Sequence, residues 1–225
     1  MNEAAPATYA QIMRLAGQEG QGDAVFDAAV ADLYAGRDAQ QALRPQVTFE
    51  DVPAPKKLAP RAAAIAATVT AGIVGPAGEE DDEDVAWGRL VLLYDPDGQP
   101  GWEGQFRVIA YVRADVEPEM AADPLLGQVS WSWLTEALEA GTAGYAAPSG
   151  TVTRGVTEGF GGKQDEPVTT GLEMRASWSP VCSAGGPAPA LAGHLTAWCD
   201  TLCTAAGLPP VAAGVSVMPR RRRHP

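Results

Sequence analysis

The stretch DVEPEMAADPLLGQVSWSWLTEALEAGTAGYAAPSGTVT, residues 115–153, decides the fold class that this sequence predicts. Its middle part carries apolar side chains three and four residues apart, which is the spacing of an amphipathic helix. The members of this stripe are Val129, Trp133, Leu134, Ala137 and Leu138. After a loop rich in Gly and Ala, β-branched residues return at 149–153 and predict a strand.

The ends of this helix are marked by familiar residues. Pro124 stops any helix before it, Gln128 or Ser130 is the predicted N-terminal cap, and Gly141 is the predicted end. Trp131 lies off the apolar stripe, so either the helix is covered on two sides or this indole is partly exposed.

Strand patterns surround this helix on both sides. Residues 88–94 form a continuous apolar run, typical of a buried strand, and residues 105–113 alternate between apolar and polar or mixed positions. Further strands are predicted at 150–157 and 168–178, with a short edge strand at 47–52 before a proline-rich segment. Residues 61–74 are Ala-rich at first and β-branched later, and we interpret them as a strand from about residue 63.

Two more helices complete the pattern. The first is predicted from an Asp23 cap to Pro45, and the last covers about residues 190–206. The predicted fold is therefore an α+β domain, with an antiparallel sheet of five or six strands and helices packed mainly on one face. Its order is helix, three strands, helix, two strands, helix, with the strand near residue 47 added.

Length and composition are compatible with one domain. The chain has 225 residues, of which 46% are hydrophobic, enough for a single core. We expect a flexible N-terminal arm at 1–22, a domain at 23–210 and a disordered basic tail at 211–225 that contains PRRRRHP.

The charge and the cysteines limit the classes of function. A formal net charge of -12 argues against nucleic-acid binding, because phosphates would be repelled. The sequence shows no apolar run that would span a membrane and no signal-peptide pattern, so we expect a cytoplasmic protein that binds no membrane. Three cysteines predict reduced thiols rather than a disulfide framework.

Several short segments are specific enough to suggest a family. They are LVLLYDP, WEG, YVRADVEPEMAADPLL, SWSWLTEAL, GTVTR, FGG, RASWSP and HLTAWCDTLC, spread over residues 26–210. In this combination the chain resembles the actinobacterial family described as domain of unknown function 3000. The resemblance implies no activity or catalytic residue, because that family has no assigned activity or catalytic residues. The order of elements is also similar to the secretion-chaperone-like fold, whose small acidic members bind polypeptides, often as dimers. This second similarity is one of topology alone.

Three segments suggest catalytic or metal chemistry and are better explained otherwise. The acidic run GEEDDED lacks the ligand spacing of a calcium loop and is interpreted as a solvated loop. GFGGK at 159–163 fails the phosphate-loop pattern and is interpreted as a hairpin loop. His194, Cys199 and Cys203 do not form a complete metal-ligand set, so we expect no cofactor or metal, and no catalytic residue can be named.

Arginines on predicted strands form one candidate site. Alternation suggests that several of them share a sheet face, where guanidinium groups suit carboxylate or phosphate ligands. The candidates are Arg107, Arg113, Arg154 and Arg175. The competing explanation is ordinary cross-strand ion pairing on a solvated face.

Two tryptophans form a second candidate surface. Trp102 lies in a predicted turn and Trp131 lies off its helix stripe, so both are candidates for contact with a partner. The sequence thus favours a non-enzymatic interaction protein, with a chaperone-like role as its more specific form, and with a polypeptide partner or a second copy of itself. The alternative is an enzyme or binding protein for a small anion on the arginine face.

Overall fold

The computed structural model describes residues 9–74, 80–142, 144–182 and 188–209. The helices are α1 (Tyr9–Leu43), α2 (Pro118–Ala122), α3 (Leu126–Gly141) and α4 (Ala192–Ala205). The strands are β1 (Val47–Asp51), β2 (Arg61–Val74), β3 (Glu80–Tyr94), β4 (Phe106–Asp115), β5 (Tyr145–Thr157) and β6 (Thr169–Pro180). One 3-10 turn, Gly161–Lys163, lies between β5 and β6.

The six strands form one antiparallel sheet in the order β1-β2-β3-β4-β6-β5. β1 and β5 are therefore the edges. β4 pairs with β6 although α2, α3 and β5 lie between them in the chain. The α+β class, the antiparallel sheet and the strand count are confirmed.

The two faces of the sheet differ in what covers them. Alternate residues of the strands contribute to a large core beneath α1, α3 and α4, for example Leu90, Val108 and Met174. We call this side the helix face. Among the described residues, the opposite side, which we call the open face, has only a small apolar cluster at one end, built on Ala64, Val91 and Leu93. Helices on one face are thus confirmed.

α4 rather than α3 is the central helix of the fold. It packs against α1, α3, β2, β3 and β4, and its most buried side chains include Leu195, Trp198 and Leu202. Its N-terminus is held by Asp32 of α1, whose carboxylate accepts hydrogen bonds from the backbone N–H groups of Leu191 and Ala192 (2.8 Å for the second). α3 packs on α4 and over β5 instead.

Several boundaries differ from those predicted. α1 begins at Tyr9, so Asp23 is not the N-terminal cap of this helix. The Asp23 carboxylate forms an ion pair with Arg61 of β2 instead. The predicted acidic loop is wrong in part, because β3 begins at Glu80 and pairs with β2 as far as Val74. Cross-strand pairing outweighs the poor strand propensity of the carboxylates there.

The start of α3 also differs. It begins at Leu126, so neither Gln128 nor Ser130 is a cap, and buried Ser130 donates a hydrogen bond to the Leu126 carbonyl (2.6 Å). Asp123 instead accepts a hydrogen bond from the Leu125 N–H (2.8 Å). The short helix α2, which begins with Pro118, was not predicted.

A proline-rich strap crosses one end of the open face. We use this name for residues 52–60, VPAPKKLAP, which link β1 to β2 without helix or strand. Its apolar side chains pack on the small cluster with Trp102 and Ile109. Three hydrogen bonds tie the strap to the fold: Val52 N–H to Ala64 O, Arg89 to Pro53 O, and Gln99 to Leu58 O.

Candidate binding face

Strand register divides the open face into rows that run across the sheet. Val91 and Ile109 lie in the row beneath the strap, paired with Ala64 and Ser177 on the flanking strands. The next row contains Arg89, Tyr111 and Arg175, and the row beyond it contains Trp87, Arg113 and Glu173. Rows are about 7 Å apart, because every second residue of a strand faces the same side.

The uncovered rows carry a group of side chains that we call the aromatic–arginine patch: Trp87, Tyr111, Arg113 and Arg175. Trp87 is 42% exposed and meets Tyr111 edge-on, with ring centroids 5.3 Å apart. The guanidinium of Arg175 lies 5.9 Å from the centroid of the Tyr111 ring. An indole this exposed in the middle of a sheet face is a feature that sequence analysis missed, because residue 87 was placed before the start of its strand.

Hydrogen bonds and ion pairs hold the patch in place. Tyr111 donates a hydrogen bond to Glu173 (2.9 Å), and Arg175 pairs with the same carboxylate (2.8 Å). Burial, together with the hydrogen bond to Glu173, raises the pKa of Tyr111, so its hydroxyl stays a donor. Exposed Arg113 forms no ion pair with any side chain that the structure describes.

Arg107 shares the open face but is buried, at 7% exposure. Its guanidinium donates hydrogen bonds to the Ala147 carbonyl (3.0 Å) and to the hydroxyls of Ser177 (2.7 Å), Ser179 and Ser149 (both 3.3 Å). Burial lowers its pKa, although an arginine side chain stays protonated. These neutral partners already bind both terminal nitrogens of the guanidinium, so Arg107 is not a free anion site.

Arg154 lies apart from the other three arginines. It faces the helix side of β5 and donates hydrogen bonds to the backbone carbonyls of Ala121 (3.2 Å) and Asp123. The four candidate arginines are therefore not one cluster. Pairing of β5 with β6 is regular from Ser149 to Thr157, and Arg154 shares its side of the strand with Val152, which packs on the helix-face core.

The two candidate tryptophans also lie on different faces. Trp102 is half-buried in the small cluster under the strap. Trp131 is half-buried on the helix face, where its ring lies over Gly150; a Cβ atom added to that glycine would come within 2.6 Å of the ring. Neither indole is as exposed as Trp87.

A shallow pocket adjoins the patch at the β4–β6–β5 end of the open face. Its volume is about 210 Å³, and it is lined by Arg113, Asp115, Glu173 and the threonines of β5 and β6. One cation beside two carboxylates does not favour a small anion. The pocket extends the patch with hydroxyl groups instead.

The His and Cys residues of α4 have structural partners. Trp178 Nε1 donates a hydrogen bond to His194 Nδ1 (3.0 Å), and burial lowers the pKa of His194 to about 4. A hydrogen bond with Cys203, and then burial, raises the pKa of the Cys199 thiol, which disfavours a thiolate nucleophile. Within the described residues, no group of three or more His, Cys, Asp and Glu side chains is placed to hold a metal ion.

Two further findings concern the ends and the helices of the chain. No helix among the described residues is long and apolar enough to cross a membrane. The predicted tail at 211–225, with its four arginines, lies outside the described residues, as do residues 1–8 of the predicted arm.

Comparison with known proteins gives one result. No curated protein and no solved structure matches the chain. A family model described as "Protein of unknown function (DUF3000)" matches residues 23–216, which includes every strand of the sheet. The chain therefore belongs to the DUF3000 family.

Proposed function

We propose that this protein is a non-enzymatic interaction module that recognises a polypeptide with the uncovered part of its open face. The observation that carries the proposal is Trp87, which is 42% exposed at the centre of a sheet and beside Tyr111 and two arginines. Trp, Tyr and Arg are the residue types that dominate binding energy at protein interfaces. The antiparallel sheet holds them in fixed positions, which lowers the entropy cost of binding.

An anionic small-molecule ligand is the competing hypothesis, and the arginine contacts weaken it. Arg107 is occupied by carbonyl and hydroxyl groups, and Arg154 lies on the other face. Arg175 is partly neutralised by Glu173. A flat surface with mixed charge suits a polypeptide better than a small anion.

Affinity capture with matched variants tests the proposal. Tagged wild-type protein, Trp87→Ala and Phe160→Ala are each used to capture proteins from the native cytosol, and the eluates are measured by native mass spectrometry. Phe160 is the control because it is 76% exposed but lies in the β5–β6 connection, away from the patch. We expect a stoichiometric polypeptide with wild type and Phe160→Ala that Trp87→Ala loses.

The captured partner is then purified and its affinity for each variant is measured. Loss of a central aromatic residue costs about 2 kcal/mol, which is roughly a 30-fold weaker affinity. Equal affinity for wild type and Trp87→Ala would exclude the patch as the binding site. A small anion that leaves with Arg175→Glu, without any polypeptide, would support the competing hypothesis.

A chaperone-like role is the more specific form of this proposal. It requires that the partner is bound before it folds or assembles, and dimerisation would place two such faces in one particle. Support would be a partner that remains soluble with wild type and aggregates with Trp87→Ala. The mass of the free protein in solution distinguishes a monomer from the homodimer that the sequence analysis allows.

A further inference from the structure

We propose that the aromatic–arginine patch takes a proline-rich, acidic, extended segment of its partner, laid beside the strap. This inference rests on the proposed function and adds the chemistry of the segment that is bound. It comes from the way in which the protein covers the neighbouring rows of the same face with its own chain.

The strap shows which kind of chain this sheet face accepts. Residues 52–60 contain Pro53, Pro55 and Pro60, and each proline ring fixes its φ near −65° and lacks a backbone N–H, so this segment forms neither helix nor strand. Val52, Ala54 and Ala59 pack on Val91 and Leu93, so apolar and proline-rich chain seals these rows. The strap thus binds to its own sheet face in the way that we propose for a partner segment on the adjoining rows.

Arg89 connects the covered rows to the uncovered ones. It is paired in register with Tyr111, inside the row next to the strap, and its guanidinium donates a hydrogen bond to the Pro53 carbonyl. Its Nε atom is buried and has no hydrogen-bond partner among the described residues. A chain that lies over this row therefore meets an arginine that already binds the carbonyl of a proline.

Backbone hydrogen bonding limits which chains suit a sheet face. The N–H and C=O groups of the central strands β3, β4 and β6 are used within the sheet, so a partner must satisfy its own backbone. A polyproline II segment does so with water, and it pays little conformational entropy because it is extended before binding. Helices also satisfy their backbones, but the strap, which lies on this face without helix or strand, is the precedent for a proline-rich segment.

The aromatic pair supplies the surface that such segments use. Proline-rich ligands dock on aromatic side chains that form ridges and grooves. Trp87 and Tyr111 meet at an interplanar angle of 62°, so one ring edge stands against the face of the other. A proline ring packs into the angle between them.

The charged side chains around the aromatic pair determine which residues are favoured between the prolines of the bound segment. Arg113 and Arg175 flank the aromatic pair and are both exposed, and Arg113 forms no ion pair within the described residues. Lys56 and Lys57 of the strap are exposed as well. Glu173 and Asp115 make the charge of this face mixed, and acidic residues between the prolines of a bound segment would be attracted to Arg113, Arg175 and the two strap lysines.

Fluorescence anisotropy with labelled peptides tests the inference on the full-length protein. The probe is a peptide of about ten residues that repeats Pro-Pro-Glu. One matched peptide has alanine in place of proline, and another has lysine in place of glutamate. We expect the Pro-Pro-Glu peptide to bind, and each replacement to weaken binding at least about tenfold, as expected when contacts to hot-spot residues are lost.

Protein variants locate the binding. Trp87→Ala should weaken the Pro-Pro-Glu peptide at least about tenfold, and Phe160→Ala should leave it unchanged. Unchanged circular dichroism and thermal unfolding of Trp87→Ala exclude a folding defect, and Trp87→Phe, which keeps a ring, should bind with intermediate affinity.

The outcomes separate this inference from the proposed function. No binding of the Pro-Pro-Glu peptide, or equal binding of the alanine peptide, overturns the proline-rich segment. If a captured partner still depends on Trp87 in that case, the proposed function stands and only the class of segment is wrong. If neither a partner nor a peptide depends on Trp87, both fail.

Discussion

Arg107 shows how residues of one pattern can have opposite roles. Arg107 and Arg113 both alternate outward on β4, and alternation correctly predicted that they share a face. Arg107 is nevertheless buried, because the bulge in β5 brings the Ala147 carbonyl over it, with Ala147 itself in the left-handed region (φ 47°). A bulge depends on the register between distant strands, which a single sequence pattern does not reveal.

We predict that Arg107 stabilises the fold and Arg113 does not. Arg107→Met removes charged hydrogen bonds to the Ala147 carbonyl and to serine hydroxyls, so we expect a loss of at least about 2 kcal/mol in the free energy of unfolding. Arg113→Met, on the same strand and face but exposed, should change it by less than about 0.5 kcal/mol. Urea unfolding of both variants measures these free energies. An equal change in both would show that the contacts of Arg107 with the β5 bulge do not stabilise the fold.

At the scale of elements, close packing of α4 on β3 depends on Gly88. The Trp198 ring lies on this glycine, and Trp198 Nε1 donates a hydrogen bond to the Tyr111 carbonyl (3.2 Å). The apolar spacing of α4 predicted its existence and its buried stripe. Its central place could not be predicted, because that depends on which neighbours it meets, including the cap that Asp32 supplies from α1.

We predict that the contact of Gly88 with α4 is intolerant of a single methyl group. A Cβ at residue 88 would lie 2.8 Å from the Trp198 ring and 2.9 Å from the Tyr111 carbonyl oxygen. Gly88→Ala should therefore destabilise the protein by about 1 to 3 kcal/mol through overpacking. Gly155→Ala in β5 is the control, since its Cβ would meet nothing within 4 Å. Thermal unfolding of both variants measures the loss of stability. A Gly88→Ala protein as stable as wild type would contradict the close contact between residue 88 and Trp198.

In the part of the chain that the structure describes, the sheet is covered asymmetrically, with one face under helices and the other partly under the strap. The sequence predicted the covered face well, since alternating apolar residues in β4 and β6 required a partner layer. It did not predict the binding patch, because Trp87 became a mid-strand residue only through the extension of β3 to Glu80. Trp102 and Trp131 were predicted to be a partner surface because neither fits the apolar pattern of a helix or strand. Tertiary packing half-buries both indoles.

A buried residue of the helix face, His194, also contributes to the way in which the free energy of unfolding depends on pH. His194 of α4 is 1% exposed, Trp178 donates a hydrogen bond to its Nδ1 atom, and burial lowers its pKa to about 4, although the nearby Asp32 carboxylate opposes the shift. In the unfolded chain the same group titrates near 6.5. Between these values the unfolded state binds the proton and the folded state does not, so stability falls as the pH decreases.

We predict a loss of up to about 1.4 kcal/mol for each pH unit below about 6.5 from this residue alone. The free energy of unfolding of wild type and His194→Gln, measured by urea at pH 7, 6 and 5, isolates its share, because the carboxylates are common to both proteins. The variant should lack this part of the slope, while its glutamine oxygen can still accept the Trp178 hydrogen bond. Identical slopes would mean that His194 takes up its proton as easily folded as unfolded. If the variant does not fold, an NMR titration of the wild-type imidazole gives the answer directly, and a midpoint near 6.5 would contradict the prediction.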